Sequence, residues 1–298
     1  MIGNDIVMFA GFINNLSDVI NQTYARDVTI DGSPWRRMDD MPLSVGNTHA
    51  ATTLVGMKVY LCGGYHGGHP GPHVPHCFVY DHSKAPGFKQ WSRIADLPND
   101  GTAGAGMIYD TTQNALYYVG GGQRLVPGSP HPVDLNNAWK YSFDNPQSGW
   151  VASTPVPYTA NHLSAVTHRN DNGQERHFFL GGQKGEYEIT ENLADTFKFV
   201  ASKEKWIRRA SMPMARSHAT ASTRPVRCGF IVAGGSLNSI TKKKNRTTDV
   251  SHYDVTTNSW TSIGNVPVAM ATPMVVTHAI GYMYFIDDAQ QSFRRSFT

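Results

Sequence analysis

The chain is short of three things, and each shortage closes a class of answers. Cysteine is scarce: Cys62, Cys77 and Cys228 are the full complement in 298 residues, too few for a disulfide framework. Cys62 and Cys77 fall on neighbouring strands, but hairpin counting places them diagonally, where side chains sit too far apart to bridge. No bridge is expected. Charge is scarce as well, at 16% of residues with a net of +3, and the basic residues form no stripe of the kind a nucleic acid requires. Long apolar runs are missing: none reaches the roughly 18 residues of a membrane span. Residues 1–13, MIGNDIVMFAGFI, carry Asp5 and no basic leader region. The expectation is a soluble monomer without a visible signal peptide, bound to neither nucleic acid nor membrane. Its compartment stays open, because the sequons at Asn15, Asn21 and Asn245 are no more than this composition produces by chance.

What the chain does have is glycine, 28 residues, and aromatics, with 13 Tyr, 13 Phe and 6 Trp. That content suits many short strands joined by tight turns. Both are spaced regularly. Glycine pairs at Gly63–Gly64, Gly121–Gly122, Gly181–Gly182 and Gly234–Gly235 are 58, 60 and 53 residues apart. Trp35, Trp91, Trp150, Trp206 and Trp260 follow in phase, each trailed by a proline. The clearest copy is Met214–Trp260: an apolar-leaning segment and a turn, then β-formers from Phe230 to Ala233 ending on the glycine pair. A polar loop, Asp249, Tyr253 and Trp260 complete it. A period near 50 with this content marks an array of supersecondary units, none able to bury its faces alone.

These motifs resemble the kelch repeat family, and the resemblance covers nearly the whole chain. It implies an all-β, six-bladed β-propeller forming a single domain over 1–298, with about 22 strands in four-stranded sheets around a central channel. The blades fall at about 5–41, 42–98, 99–156, 157–212, 213–266 and 267–298. The glycines then serve close packing, and Tyr and Trp fill the spaces between blades. Blade 1 has Ala10 in place of the first glycine and no strand a; blade 6 has YMYFIDD where the glycines should be and no strand d. A weak seam between the two, or a trimmed chain, is expected there.

In such a fold the long b-to-c loops converge at one mouth of the channel: Phe12–Gln22, Tyr65–Pro75, Gln123–Asn136, Gln183–Ala194 and Ser236–Thr248. Loops on a rigid scaffold carry function, so that face is the expected binding surface. YHGGHPGPHVPHC holds His66, His69, His73 and His76; dense imidazoles can bind metal. The fixed spacings of zinc modules are absent, so the tract reads as a polar loop offering His66 and His69 to a ligand, with no metal or cofactor. His76 aligns with Asn137, Asp195 and Asp249 as a strand-start residue. His49, His162 and His218 recur at one place in strand a of blades 2, 4 and 5, with Gly104 at that place in blade 3. Symmetry points the three imidazoles at the channel mouth. Arg216, two residues before His218, is expected to reach the mouth and grip a carboxylate. Arg124, the acidic loop with Glu186, Glu188 and Glu191, and the basic loop Lys242–Lys244 with Arg246 complete the candidate set.

The functional expectation is a binding module whose partner is a protein segment or a glycan, with catalysis left open. The alternative is a carbohydrate-active enzyme of epimerase, lyase or metal-dependent oxidase type, with His162 or His218 moving a proton. The family's oxidases need a tyrosine linked to cysteine plus two histidines, and its iron-dependent specifiers need Glu, Asp and His at steps of four. Here Glu191 and Asp195 meet Phe199 where His is required.

Overall fold

A computed structural model describes residues 1–13, 18–67, 71–123, 133–185, 190–223, 228–237, 245–270, 274–277, 282–286 and 292–296. They form 29 strands and two short 3-10 turns; none of the helices is long and apolar enough to cross a membrane. Each sheet is an antiparallel meander taken in chain order. The first is Asp5–Ile13, Asp18–Asp27 and Arg36–Arg37. The second is Ala51–Val55, Lys58–Cys62, Cys77–Asp81 and Trp91–Arg93. The third is Gly106–Asp110, Ala115–Val119, Ala138–Ser142 and Trp150–Ser153. The fourth is Ser164–Arg169, Glu175–Leu180, Thr196–Val200 and Lys205–Arg208. The fifth is built on Thr220–Thr223, Gly229–Ala233, Asn245–Asp254 and Ser259–Met270. The first strand of each of the last four sheets lies beside the first strand of the next sheet, which puts these strands innermost, around one axis. This is a β-propeller arrangement. The surplus over about 22 strands consists of two-residue ladders at the loop end, such as Asn47–Thr48 against Tyr65–His66.

The repeated residues do their work at the blade boundaries. The first glycine of each pair donates its N–H to the strand-start residue of its own blade: Gly63 to His76, Gly120 to Asn137, Gly181 to Asp195, Gly234 to Asp249. The second donates across to the next blade in three cases, Gly64 to Thr102, Gly121 to Ala160 and Gly182 to Arg216, while Gly235 donates to Met270 at the end of its own blade's last strand. Both turn through the left-handed region, Gly63 at φ 70° and Gly64 at φ 98°, where a side chain is strained. In the third blade the working pair is therefore Gly120–Gly121; the run of three glycines there put the sequence reading one residue late. Ala10 does take the first glycine's place in the first sheet, at φ 50°.

Each Trp indole donates to a backbone carbonyl of the preceding blade, Trp91 to Asp39 (2.8 Å), Trp150 to Ala95 (2.9 Å), Trp206 to Thr154 (2.9 Å) and Trp260 to Ala210 (2.8 Å). Each also packs on the aromatic of its own blade, with ring centroids 5.1, 5.4, 4.6 and 5.0 Å apart for Tyr80–Trp91, Tyr141–Trp150, Phe199–Trp206 and Tyr253–Trp260. Such ring pairs contribute about 0.5–1.5 kcal/mol beyond area burial. The indole N–H bond at the far end of each ring links one sheet to the preceding one.

Two expectations need correction. The expected six blades become five. The last strand of the fifth blade runs on to Met270, which lies opposite Thr247, so Pro267–Met270 belong to that blade and not to the next. Beyond it, Met274–Thr277, Tyr282–Ile286 and Ser292–Ser296 form a separate three-stranded sheet. That stretch has no glycine pair to bond onward and no Trp to wedge against a neighbour. It stands at the seam, with Val275 packed on the fifth blade's core and Tyr284 against Ile6, the Tyr284 hydroxyl donating to the Val28 carbonyl at 3.2 Å. Second, Cys62 and Cys77 are directly opposite each other, not diagonal, with Cα atoms 4.2 Å apart, and they form a buried disulfide. Cys228 is an exposed, unbridged thiol.

Candidate functional site

At the loop end of the innermost strands, His49, His162 and His218 meet on the axis. Each sits in left-handed backbone, at φ 57°, 50° and 54°, a conformation that costs a non-glycine residue roughly 1–2 kcal/mol. The neighbouring blades hold them there: the Gly104 N–H donates to the His49 carbonyl at 2.8 Å and the His218 N–H to the His162 carbonyl at 3.3 Å. Ring centroids are 3.9 Å apart for the stacked pair His162–His218, and 4.9 and 6.3 Å from His49 to His162 and to His218. One ring nitrogen from each lies within 4.8 Å of the others. The Nδ1 atoms are held alike, each by the side chain one residue earlier: Thr48 Oγ1 at 3.1 Å, Ser217 Oγ at 3.0 Å, and Asn161 Oδ1. Gly104 occupies the same place at φ 69°, and a Cβ there would stand 2.7 Å from the His162 nitrogen and 3.3 Å from its ring. A fourth imidazole has no room, so glycine in the third blade makes the neck of three possible.

The other end of the axis is different. A cavity of about 430 Å³ opens among the ends of the innermost strands, lined by Thr52, Leu54, Val55, Tyr109, Thr167 and Thr223 among others, with Arg169 and Glu175 at its edge. Beside it, His177 is enclosed by hydrogen bonds: Nε2 to Asp110 Oδ2 at 2.7 Å and Nδ1 to Thr167 Oγ1 at 2.9 Å. Burial would raise the Asp110 carboxyl, but His177, Thr112 and the Gln113 N–H more than offset it and hold the group down at about 2. Glu175 is likewise lowered: burial works against the charge, and the Thr111 N–H and hydroxyl together with Arg169 outweigh it.

Among the described residues, these are the two places where three or more metal-ligand side chains gather: the neck trio, and Asp110 with Glu175 and His177. Of the remaining expected site residues, His66, Arg216 and Arg246 lie within the described residues and are placed elsewhere. His66 pairs with Asn47 in a two-residue ladder and donates its N–H to the Pro72 carbonyl. Arg246 is exposed, opposite Ser236. His69, Arg124 and Glu186, with most of the acidic and basic loops, lie outside the described residues. Arg216 is a correction: it is 1% exposed, donating to Asp249 Oδ2 at 2.6 Å and to the Gly234 carbonyl at 3.2 Å. Its guanidinium is bonded within the fifth blade instead of standing exposed at the mouth. The carboxyl of Asp249 is lowered in turn: burial opposes it, while Ser251, Arg216 and Ser262 donate to it. His82 is also structural, bonded to Asp5 between the first two sheets at 2.8 Å.

Sequence reasoning missed the cavity end, because its lining is largely residues of ordinary strands. The one available signal was apolar residues at or beside the a-to-b and c-to-d turns: Leu54, Met57 and Phe88, with Ile30 in the first sheet, are 43, 42, 72 and 58% exposed. The comparisons add no assignment: no protein-family model matches the chain, and no curated protein matches it.

Proposed function

We propose that this protein is an interaction module, a kelch-type β-propeller that holds an extended segment of another protein at the cavity end of its axis. The observation that supports this reading is the coincidence of a cavity walled mainly by uncharged strand residues, Arg169 and Glu175 being the charged ones, with exposed Leu54, Met57, Phe88 and Ile30 at or beside turns of the same end. Apolar side chains clustered at one end of a scaffold are the usual mark of a protein contact. Threonine hydroxyls and a peripheral Arg169–Glu175 pair supply the few polar groups that orient a chain. The loop-face and glycan expectations give way to this one, since Arg216, their proposed anion grip, is occupied by Asp249.

The test is selection from a library of displayed random peptides, read again on L54D, F88D and R246A variants and beside a glycan array. Peptides that lose binding to L54D and F88D but retain it with R246A support the cavity end. Sugar capture, or peptide binding sensitive only to R246A, would return the site to the loop face. A second reading, an enzyme working at the neck, is favoured by the convergence of three imidazoles, and any turnover would be abolished by H162A.

A further inference from the structure

We propose that His49, His162 and His218 form a site for a divalent transition-metal ion, Zn(II) being the probe of choice, at the neck of the propeller. Asn161, which is fully buried, sets the orientation of the site. Its side-chain nitrogen donates to the Asp134 carboxylate and to the Gly185 carbonyl (3.3 Å), and Asp134 also accepts from the Gly185 N–H at 2.7 Å. That fixes the amide orientation, because a carboxylate and a carbonyl accept and cannot donate. Asn161 Oδ1 therefore faces His162 as a pure acceptor, and His162 must carry its proton on Nδ1. The tautomer with Nδ1–H puts a lone pair on Nε2, the state in which imidazole ligates a metal. Thr48 and Ser217 hydroxyls, which can accept or donate, meet Nδ1 of His49 and His218 from the corresponding position. The chain Asp134–Asn161–His162 is thus the outer support that metal-binding histidines have, already in place.

The geometry agrees. Three nitrogens bound to one zinc at 2.0–2.1 Å in a tetrahedron are about 3.3 Å apart, and here they lie within 4.8 Å of one another. Opening the 3.9 Å stack of His162 on His218 by ring rotation supplies the difference. The backbone explains why the arrangement persists: three non-glycine residues at φ 50–57° keep a strain that glycine, present at the fourth equivalent position, would relieve. A donor set of three imidazoles leaves one position of the ion open. In the other cluster both ring nitrogens of His177 and the oxygens of Asp110 and Glu175 bond to protein donors and acceptors.

The test uses the full chain, stripped with chelator and titrated with Zn(II) against a chromophoric competitor, then loaded with Co(II). We expect one ion per chain and, in the unaltered protein, the visible bands of tetrahedral Co(II) with three shifted exchangeable imidazole N–H signals. H162A and H218A should each lose at least 100-fold in affinity and N161A about 10–100-fold, with H66A unchanged. A wild-type chain that takes up no stoichiometric ion, or one whose binding is lost in H66A and retained in H162A and H218A, would overturn the site. The Co(II) spectrum of unaltered protein keeps the test valid if a histidine variant fails to fold.

Discussion

The two ends of the axis carry the same residue type in opposite circumstances. At the cavity end, His177 is 2% exposed and closed off by Asp110 and Thr167; it holds the third blade to the fourth and has no further bonding capacity. At the neck, three histidines adopt costly backbone and are each oriented through Nδ1 by the preceding residue. A buried histidine saturated by its neighbours stabilises a fold, whereas strained histidines aimed at one another reduce stability and persist for what they hold. Burial alone does not separate the cases, since His162 is itself only 9% exposed. The separating feature is the company of the ring: a carboxylate and a hydroxyl at His177, two further imidazoles at the neck.

Substitutions should divide along that line. Removing one partner of a buried ion-paired set is the largest expected loss: H177A or D110A should cost roughly 3–5 kcal/mol in urea unfolding and leave metal uptake at the neck intact. Arg216→Ala, which strands Asp249, should cost about 3 kcal/mol by the same measurement, with no specific effect on binding at the axis. Acid should act on the cavity end as well. Asp110, with a folded-state value of about 2 against an ordinary 3.8, contributes stability that is complete above about pH 4. That contribution is lost as pH falls through about 2. Wild-type unfolding free energy should fall across that window, and a D110N variant should show a shallower slope. Gly104→Ala should cost about 1–3 kcal/mol, since its φ is 69° and the added carbon meets the His162 backbone at 2.7 Å; it should also disturb the neck. The smallest effect has the opposite sign. His49→Gly or His218→Gly should leave stability unchanged or raise it by up to about 1 kcal/mol, because the left-handed backbone is relieved.

The parts of this molecule that were readable in sequence are those whose task is local and repeated. A glycine pair that bonds once within its blade and once across, and a Trp that reaches the preceding blade, recur at a period near 56 and declare the propeller. The neck was readable for the same reason: His49, His162 and His218 hold one position in three repeats. Where a partner is distant or register matters, reading fell short. Arg216 finds Asp249 33 residues away, across a loop whose path the sequence does not give. Cys62 and Cys77 become direct partners only once the register of their two strands is known, and a 14-residue connection hides that register. The three glycines at Gly120–Gly122 fit the repeat in two ways, and only the positive φ values of Gly120 and Gly121 choose. The fifth blade's last strand ran further than its proline suggested, which reduced the blade count. The cavity left only a faint mark, the apolar residues at its turns, because the strand residues that line it are unremarkable anywhere.

The claim that the two ends differ in kind is tested most directly by thermal unfolding of wild type, H177A and H162G, each with and without Zn(II). A ligand that binds only the folded state raises the melting temperature. The account requires a rise with zinc in wild type and in H177A, from a lower starting point in the latter, and none in H162G. An equal rise in H162G, or a rise lost in H177A and kept in H162G, would contradict it.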